Sequence, residues 1–392
     1  MYYEHLRTAE FLTKRRLEVV ETKSSNETQF QDSRLLNECL LDLGYVYEKL
    51  AKPEIALTYS TRSLESMENS KENDSFSDLI RNARHNVASC RRMLAQFSLA
   101  EEVLLSQLKF DESQGDKRKI SRSLNDLALV YEVWGELDRA IEMFQKSLNL
   151  KEELNETHSL GYSITLTNLG SCYLSIGRLA EARDLYEKAM KIGQSILPLK
   201  PHTLALAMRR LAFCYCMQGD VDGTKLAQDA LDMITLPRNH IFFAGCFTTI
   251  AECCLVSNNS TCSIDFYEKA AELFRGTDNL EPLLNIVIAR RNLAVALSKD
   301  GKKDEVRELL RESLTVAKKK FPEGHPIIVH TAVDLAVCLA ETGNYENATH
   351  LLTKSLLMLH DNEPTSKVTA KARYWLAYSQ NKSNEALVNG ST

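Results

Sequence analysis

Apolar and polar positions alternate at helical spacing along this chain, and the pattern repeats. The chain aligns on a small residue, followed three positions later by Tyr or a similar side chain, then a turn, then Ala and an aromatic. Eight copies result, with small residues at Gly44, Ala88, Ala128, Gly170, Ala212, Ala251, Ala294 and Ala336. Their separations are 44, 40, 42, 42, 39, 43 and 42 residues. A period of about 42 with so little scatter marks stacked supersecondary units rather than a single globular core.

The third and fourth copies define the unit. Ala128, Tyr131, Gly135, Ala140, Phe144 and Leu148 return as Gly170, Tyr173, Gly177, Ala182, Tyr186 and Met190. The small residue lets the two helices of a hairpin approach, and the glycine turns the chain between them. The later Ala and aromatic lie four apart on one face of the second helix, where they pack back onto the first. Turn glycines are expected at Gly135, Gly177, Gly219, Gly301 and Gly343, with less ideal turns where Ala51, Ala95 and Asn258 stand instead. Pro53 falls within a hairpin turn, and Pro198, Pro201, Pro237, Pro282, Pro322, Pro326 and Pro364 fall between hairpins. Proline inside a helix costs about 3 kcal/mol, so this placement independently supports the register. The fifth copy matches worst: it is one residue short between Gly219 and Ala230, and Gly223 weakens its second helix.

These landmarks resemble the tetratricopeptide repeat over about residues 30 to 380. The resemblance implies an all-α fold, a right-handed superhelical solenoid of stacked helix-turn-helix hairpins. The long period is similar to the branch found in kinesin light chains and nephrocystin-like proteins. The linker Phe321-Pro322-Glu323-Gly324-His325-Pro326 resembles the Gly-x-x-His-Pro connection of that branch, with one residue fewer between Gly and His. The expected organisation is an N-terminal helix in residues 1–25, reading as half of a truncated hairpin, and a solenoid of eight repeats in 30–365. A capping helix follows in 366–380, where Tyr374, Trp375, Leu376 and Ala377 restart the first-helix pattern, and then a polar tail in 381–392.

Composition narrows the function. With 44% hydrophobic and 26% charged residues, the chain falls in the ordinary folded class. A net charge of −5 supplies no positive field to collect nucleic acid or anionic lipid. The first twenty residues interleave Lys14, Arg15 and Arg16, so no apolar signal-peptide core is read there. The segment from Ile241 to Val256 is the most apolar, but Thr248, Thr249 and Glu252 interrupt it. A cytoplasmic protein without a membrane anchor is expected.

Five of the ten cysteines, Cys90, Cys172, Cys214, Cys253 and Cys338, follow the small residue by two, so one packing slot accounts for them as buried hydrophobes. No C-x-x-C pair occurs, and neither a metal site nor a disulfide framework is expected. His158, His202 and His325 lie in linkers, where turn roles suffice. No catalytic triad, phosphate-cradling glycine loop or H-E-x-x-H motif is present. The sequons at Asn26, Asn155 and Asn347 are read as chance matches. No enzymatic activity and no cofactor are expected.

Function is expected on the groove that the first helices line in tetratricopeptide arrays. Two residues before each small position stand Asp42, Asn86, Asp126, Asn168, Arg210, Thr249, Asn292 and Asp334. Such a polar ladder can hydrogen-bond an extended backbone, or alternatively bond neighbouring helices. The resemblance points to Asn168 and Asn292 as ligand-contacting asparagines. One position earlier stand Leu41, His85, Asn125, Thr167, Arg209, Thr248, Arg291 and Val333. The candidate groove residues are therefore Asn86, Asn125, Asp126, Asn168, Arg209, Arg210, Phe213, Arg291 and Asn292, with Tyr45, Leu174 and Met217 as further apolar contacts. The arginines suit carboxylates, unless acids such as Glu252 occupy them. Arg81, Arg84, Arg91 and Arg92 form another basic run, more usual as a solvated face. The expected function is a non-enzymatic scaffold or adaptor that binds extended, acidic segments of other proteins, with no nucleic acid or membrane partner. The alternative is a regulatory repeat segment of a larger signalling ATPase or enzyme.

Overall fold

The computed structural model describes residues 2–23, 29–50, 52–69, 76–196, 201–219, 222–233, 241–257, 259–274, 280–321, 323, 325–358 and 367–389. Among the described residues there are eighteen helices and no strand. After α1 (Tyr2–Lys23) come α2 (Gln29–Lys49) with α3 (Pro53–Glu68), α4 (Ser77–Met93) with α5 (Phe97–Gln114), and α6 (Lys117–Trp134) with α7 (Leu137–Glu153). The series continues as α8 (Leu160–Ser175), α9 (Leu179–Ser195), α10 (Pro201–Met217), α11 (Asp222–Asp232), α12 (Ile241–Val256) and α13 (Ser260–Phe274). It ends with α14 (Leu280–Lys299), α15 (Lys303–Lys320), α16 (Pro326–Glu341), α17 (Tyr345–Met358) and α18 (Lys367–Asn389).

The chain divides into two compact units. One comprises Met1–Cys214, Asp229–His240 and Gly276–Glu281; the other comprises Tyr215–Gln228, Ile241–Arg275 and Pro282–Thr392. In the first unit α2/α3, α4/α5, α6/α7 and α8/α9 are antiparallel hairpins, and α2, α4, α6 and α8 also touch one another in sequence. The first helices thus share one face of that unit. In the second, α12/α13 and α16/α17 are hairpins, and α18 packs on both α16 and α17.

All eight small residues are buried, as their role between two helices demands. At Gly170 the reason is geometric: an added Cβ would lie 2.7 Å from Cε1 of Tyr186, a ring that is itself fully buried. Phe144 fills the equivalent slot in the preceding hairpin, also with no exposed surface. Burying such a side chain stabilises the fold by roughly 1.5–3 kcal/mol.

The turns share one mechanism. Gly135, Gly177, Gly219, Gly301 and Gly343 all adopt positive φ, between 78° and 94°. In four of those turns the next residue donates its N–H to the carbonyl five positions back: Glu136 to Tyr131, Arg178 to Tyr173, Lys302 to Leu297 and Asn344 to Leu339. This bond closes the last helical turn and satisfies a carbonyl that would otherwise lack a partner. Gln96 makes the same bond to Arg91, but the left-handed residue there is Ala95, at φ 58°. Pro53 and Pro326 open α3 and α16, and Pro201 and Pro282 lie in the first turns of α10 and α14. The turns at Ala51 and Asn258, and Pro198, Pro237, Pro322 and Pro364, lie outside the described residues.

Two features differ from the sequence reading. Two disulfides are present in the second unit: Cys216 with Cys253, Cα atoms 5.0 Å apart, and Cys254 with Cys262, 5.9 Å apart. Sequence periodicity placed only Cys253 of these four in the packing slot, and it carried no information on which cysteines lie opposite one another. Cys216 and Cys253 come from successive first helices, and Cys254 faces Cys262 across the α12/α13 turn. Second, α18 runs to Asn389, through the segment read as a polar tail, because neither Gly nor Pro interrupts it before Gly390. The N-terminal helix α1 is seated against the helix that follows it. It packs on α2, with Leu17 and Val20 buried in a cluster that includes Leu40, Leu43 and Tyr47.

Gly170→Ala should lower the free energy of unfolding by about 1–3 kcal/mol, since the Tyr186 ring cannot swing aside. Ala95→Gly should raise it by up to about 1 kcal/mol by relieving the left-handed strain. Urea unfolding followed by circular dichroism checks both, as opposite shifts of the midpoint with an unchanged slope.

Candidate functional site

The first-unit face built by α4, α6 and α8 opens into a cleft of about 500 Å³ where the end of α7 meets the start of α8. Local sequence builds its walls. Asp116 caps α6 by accepting the N–H groups of Arg118 and Lys119, each at 3.1 Å, and so sets the helix whose residues Arg118, Arg122, Asn125 and Asp126 line one wall. Asn155, at φ 57°, ends α7 and lets Glu156 N–H donate to the Lys151 carbonyl at 2.9 Å. Asparagine tolerates that conformation better than most residues. Ser159 then caps α8, accepting Tyr162 N–H at 3.1 Å.

At the base of the cleft lies Lys151, only 7% exposed. Its ammonium donates to Thr165 Oγ1 at 2.6 Å, Ser147 Oγ at 3.2 Å and the Gly161 carbonyl at 3.3 Å. All three acceptors are neutral. Burial therefore pulls its pKa down to about 8, against the upward pull of Glu156 and Asp126 and with the help of Arg122. The two nearby carboxylates are already engaged: Glu156 accepts from Arg118 Nε at 2.6 Å, and Asp126 lies 2.8 Å from His85 Nδ1. Asp126 is also the main cause of the raised His85 pKa. The exposed Arg122 guanidinium makes no hydrogen bond or ion pair among the described residues.

Of the residues singled out from sequence, Asn125 and Asp126 line this cleft, and Asn125 Oδ1 accepts from Thr165 at 3.1 Å. Asn86 is buried on α4, and Asn168 is half-buried on α8. Arg209, Arg210 and Phe213 are half-buried on α10; Arg210 faces Glu132, whose carboxyl is pushed up by burial and restrained by Arg210 and Arg92. Arg210 Nε has no hydrogen-bond partner among the described residues. In the second unit the pair is occupied by neighbours: Arg291 Nε donates to Asp334 at 2.8 Å, and Asn292 Nδ2 donates to Glu252 at 2.6 Å. Burial raises the Asp334 pKa, but Arg291 and Lys371 together hold it below the usual carboxylate range. Tyr45 and Met217 are about half exposed, at 53% and 51%.

Lys151 and Arg122 were not singled out from sequence. A signal existed in the repeat register. Eleven residues after the second-helix Ala, the copies carry Met67, Asp111, Lys151 and Gly193, all buried. An ionisable residue in a slot that elsewhere holds Met or Gly is the mark.

Tetratricopeptide-repeat family models match residues 119–195 and 288–327. Both segments are tetratricopeptide repeats, and the chain resembles tetratricopeptide-repeat proteins. Protein KINESIN LIGHT CHAIN-RELATED 2 of Arabidopsis thaliana is 24% identical over 263 residues, covering 66% of this chain and 38% of that protein's own length. Solved structures share the fold. The Rap protein complexed with Competence and Sporulation Factor has a TM-score of 0.54 at 13% identity, covering 89% of this chain and 98% of that one. The apo form of RapI has a TM-score of 0.53 at 16% identity, covering 70% and 97%. The fold is thus a tetratricopeptide solenoid, and no helix among the described residues is long and apolar enough to cross a membrane.

Because Lys151 is depressed in the folded protein, the unfolded chain binds more protons between about pH 8 and its ordinary value of 10.5. Stability contributed by this residue therefore rises with pH across that window. Lys151→Met should be most stable relative to wild type below pH 8. That difference should shrink by on the order of 3 kcal/mol as pH rises through 10.5, measured by urea unfolding at each pH.

Proposed function

We propose that this protein is a non-enzymatic interaction scaffold that holds extended segments of partner proteins against the first-helix face of each unit. The observation that carries the reading is the run of α2, α4, α6 and α8 in mutual contact. These helices offer half-buried polar groups where an extended backbone would lie. Asn168 has no side-chain partner among the described residues, so its amide can both donate and accept. Asn86, Asn125 and Asp126 extend the same row, with Arg209, Arg210 and Phe213 beyond them on α10. Arg291 and Asn292 would contribute to a separate row in the second unit after exchanging their present partners.

Basic groups on this face favour acidic segments. Arg122 and Arg210 would orient such a chain, while apolar contacts such as Tyr45 supply binding energy. The fold is used to hold another molecule in the Rap protein complexed with Competence and Sporulation Factor. A cytoplasmic location suits the role proposed here.

Site-specific photocrosslinking in cells tests the reading. A photoreactive residue at Asn168 or Asn125 should capture discrete partner proteins, and alanine at Arg209 and Arg210 should reduce that yield about tenfold. The same probe at Glu142, exposed on α7, should capture none of them. Equal capture from Glu142 and Asn168 would dismiss the face assignment while leaving the fold intact.

A further inference from the structure

Asp111 and Lys151 occupy the same slot in successive hairpins, both in the last turn of a second helix, and both are buried, at 0% and 7% exposed. Their surroundings differ in one respect. Asp111 has an internal counter-ion: it pairs with Arg81, and it accepts further bonds from Ser123 Oγ at 2.6 Å and Gln107 Nε2 at 2.9 Å. Lys151 has hydroxyls and a carbonyl, but no carboxylate within hydrogen-bond reach. A buried charge held only by neutral groups is costly, and an anion arriving in the cleft would offset that cost.

A second cation, exposed rather than buried, lines the cleft. Arg122, on the α6 wall, has no partner among the described residues, and its field acts on Lys151 across the cleft. Glu156 and Asp126, the acids of the cleft, are held by Arg118 and His85. Two positive charges therefore remain without a carboxylate partner around one opening. The α8 N-terminus faces the same space, since Leu160 and Gly161 both line it, and helix starts favour negative charge. The exposed Gly161 adds no side chain to obstruct approach. Two unneutralised cations fit a dianion better than the single charge of a carboxylate, and a phosphate monoester supplies two charges and three acceptor oxygens.

We infer that this cleft binds a phosphoryl group carried on a serine or threonine of a partner segment, with Arg122 and Lys151 neutralising its charge and Asn125 Nδ2 and the α8 N-terminus supplying further donors. The inference rests on the scaffold reading above and names the chemistry that one part of the face selects. It also makes partner capture conditional on modification of the partner.

The test is calorimetric titration of the full chain with N-acetyl-phosphoserine amide, with N-acetyl-aspartate amide as the singly charged comparator, at constant ionic strength and pH 7. The phosphoserine probe should bind saturably and at least about tenfold more tightly than the aspartate probe. Arg122→Ala, a change at an exposed position, should weaken it about tenfold, and Lys151→Met by as much or more. Lys146→Ala, an exposed lysine of α7 outside the cleft, should leave binding unchanged. Equal affinity for the two probes, an unaltered Arg122→Ala, or an equal loss in Lys146→Ala would each overturn the proposal. If Lys151→Met fails to fold, Arg122→Ala still decides. Saturable phosphoserine binding together with uniform crosslinking from Asn168 and Glu142 would keep the anion site and dismiss the scaffold face, so the two readings fail separately.

Discussion

In the α8/α9 hairpin the contact between a residue with no side chain on the first helix and a large buried ring on its partner sets the geometry. At Gly170 and Tyr186 the two elements lie so close that one methyl group would not fit. That proximity fixes which faces of the paired helices are inside, so every other position in a copy inherits its environment from its distance to this point. Cys90, Cys172 and Cys214 are buried for that reason, two residues beyond the small position. Polar residues two residues before it fall instead at the margin of the packed interior, where Asn168 and Arg210 are half-buried.

The inheritance is strict for volume and loose for charge. The slot eleven residues past the second-helix Ala accepts Met67, Asp111, Lys151 or Gly193. Each ionised occupant then needs local compensation, because desolvation of a charge is not offset by packing alone. Asp111 obtains it from Arg81 by direct contact; Lys151 is hydrogen-bonded only to neutral groups, with Glu156 and Asp126 acting from a distance. One architecture thus gives a closed ion pair in one hairpin and an open electropositive recess in the next.

Much of this was legible in the sequence. The small residues, the turn glycines and the cysteine slot all depend on spacing within one copy, which a linear pattern carries directly. The same spacing puts Asn125 and Asp126 on one helix, where both line the cleft. What the pattern could not carry is the relation between copies. Whether Asn292 meets Glu252, whether Cys216 meets Cys253, and whether Lys151 has a counter-ion all depend on which side chains of adjacent helices face one another. The continuation of α18 to Asn389 was missed for a different reason: residues 381–385 are exposed or half-buried, so no apolar stripe marks the helix there, and it continues because no breaker interrupts it.

The half-buried row Glu48, Arg92, Glu132 and Arg210 in the first unit alternates in sign along the stack, each charge lying in the field of the next. Uniform arrays can lose or gain a module because every junction is alike. Here the junctions between α2, α4 and α6 have a polarity. Excising the module that bears Glu132 would bring one guanidinium toward another in a poorly hydrated place, so the order of copies is itself encoded. In evolutionary terms, an array wired this way lengthens at its ends far more readily than in its middle.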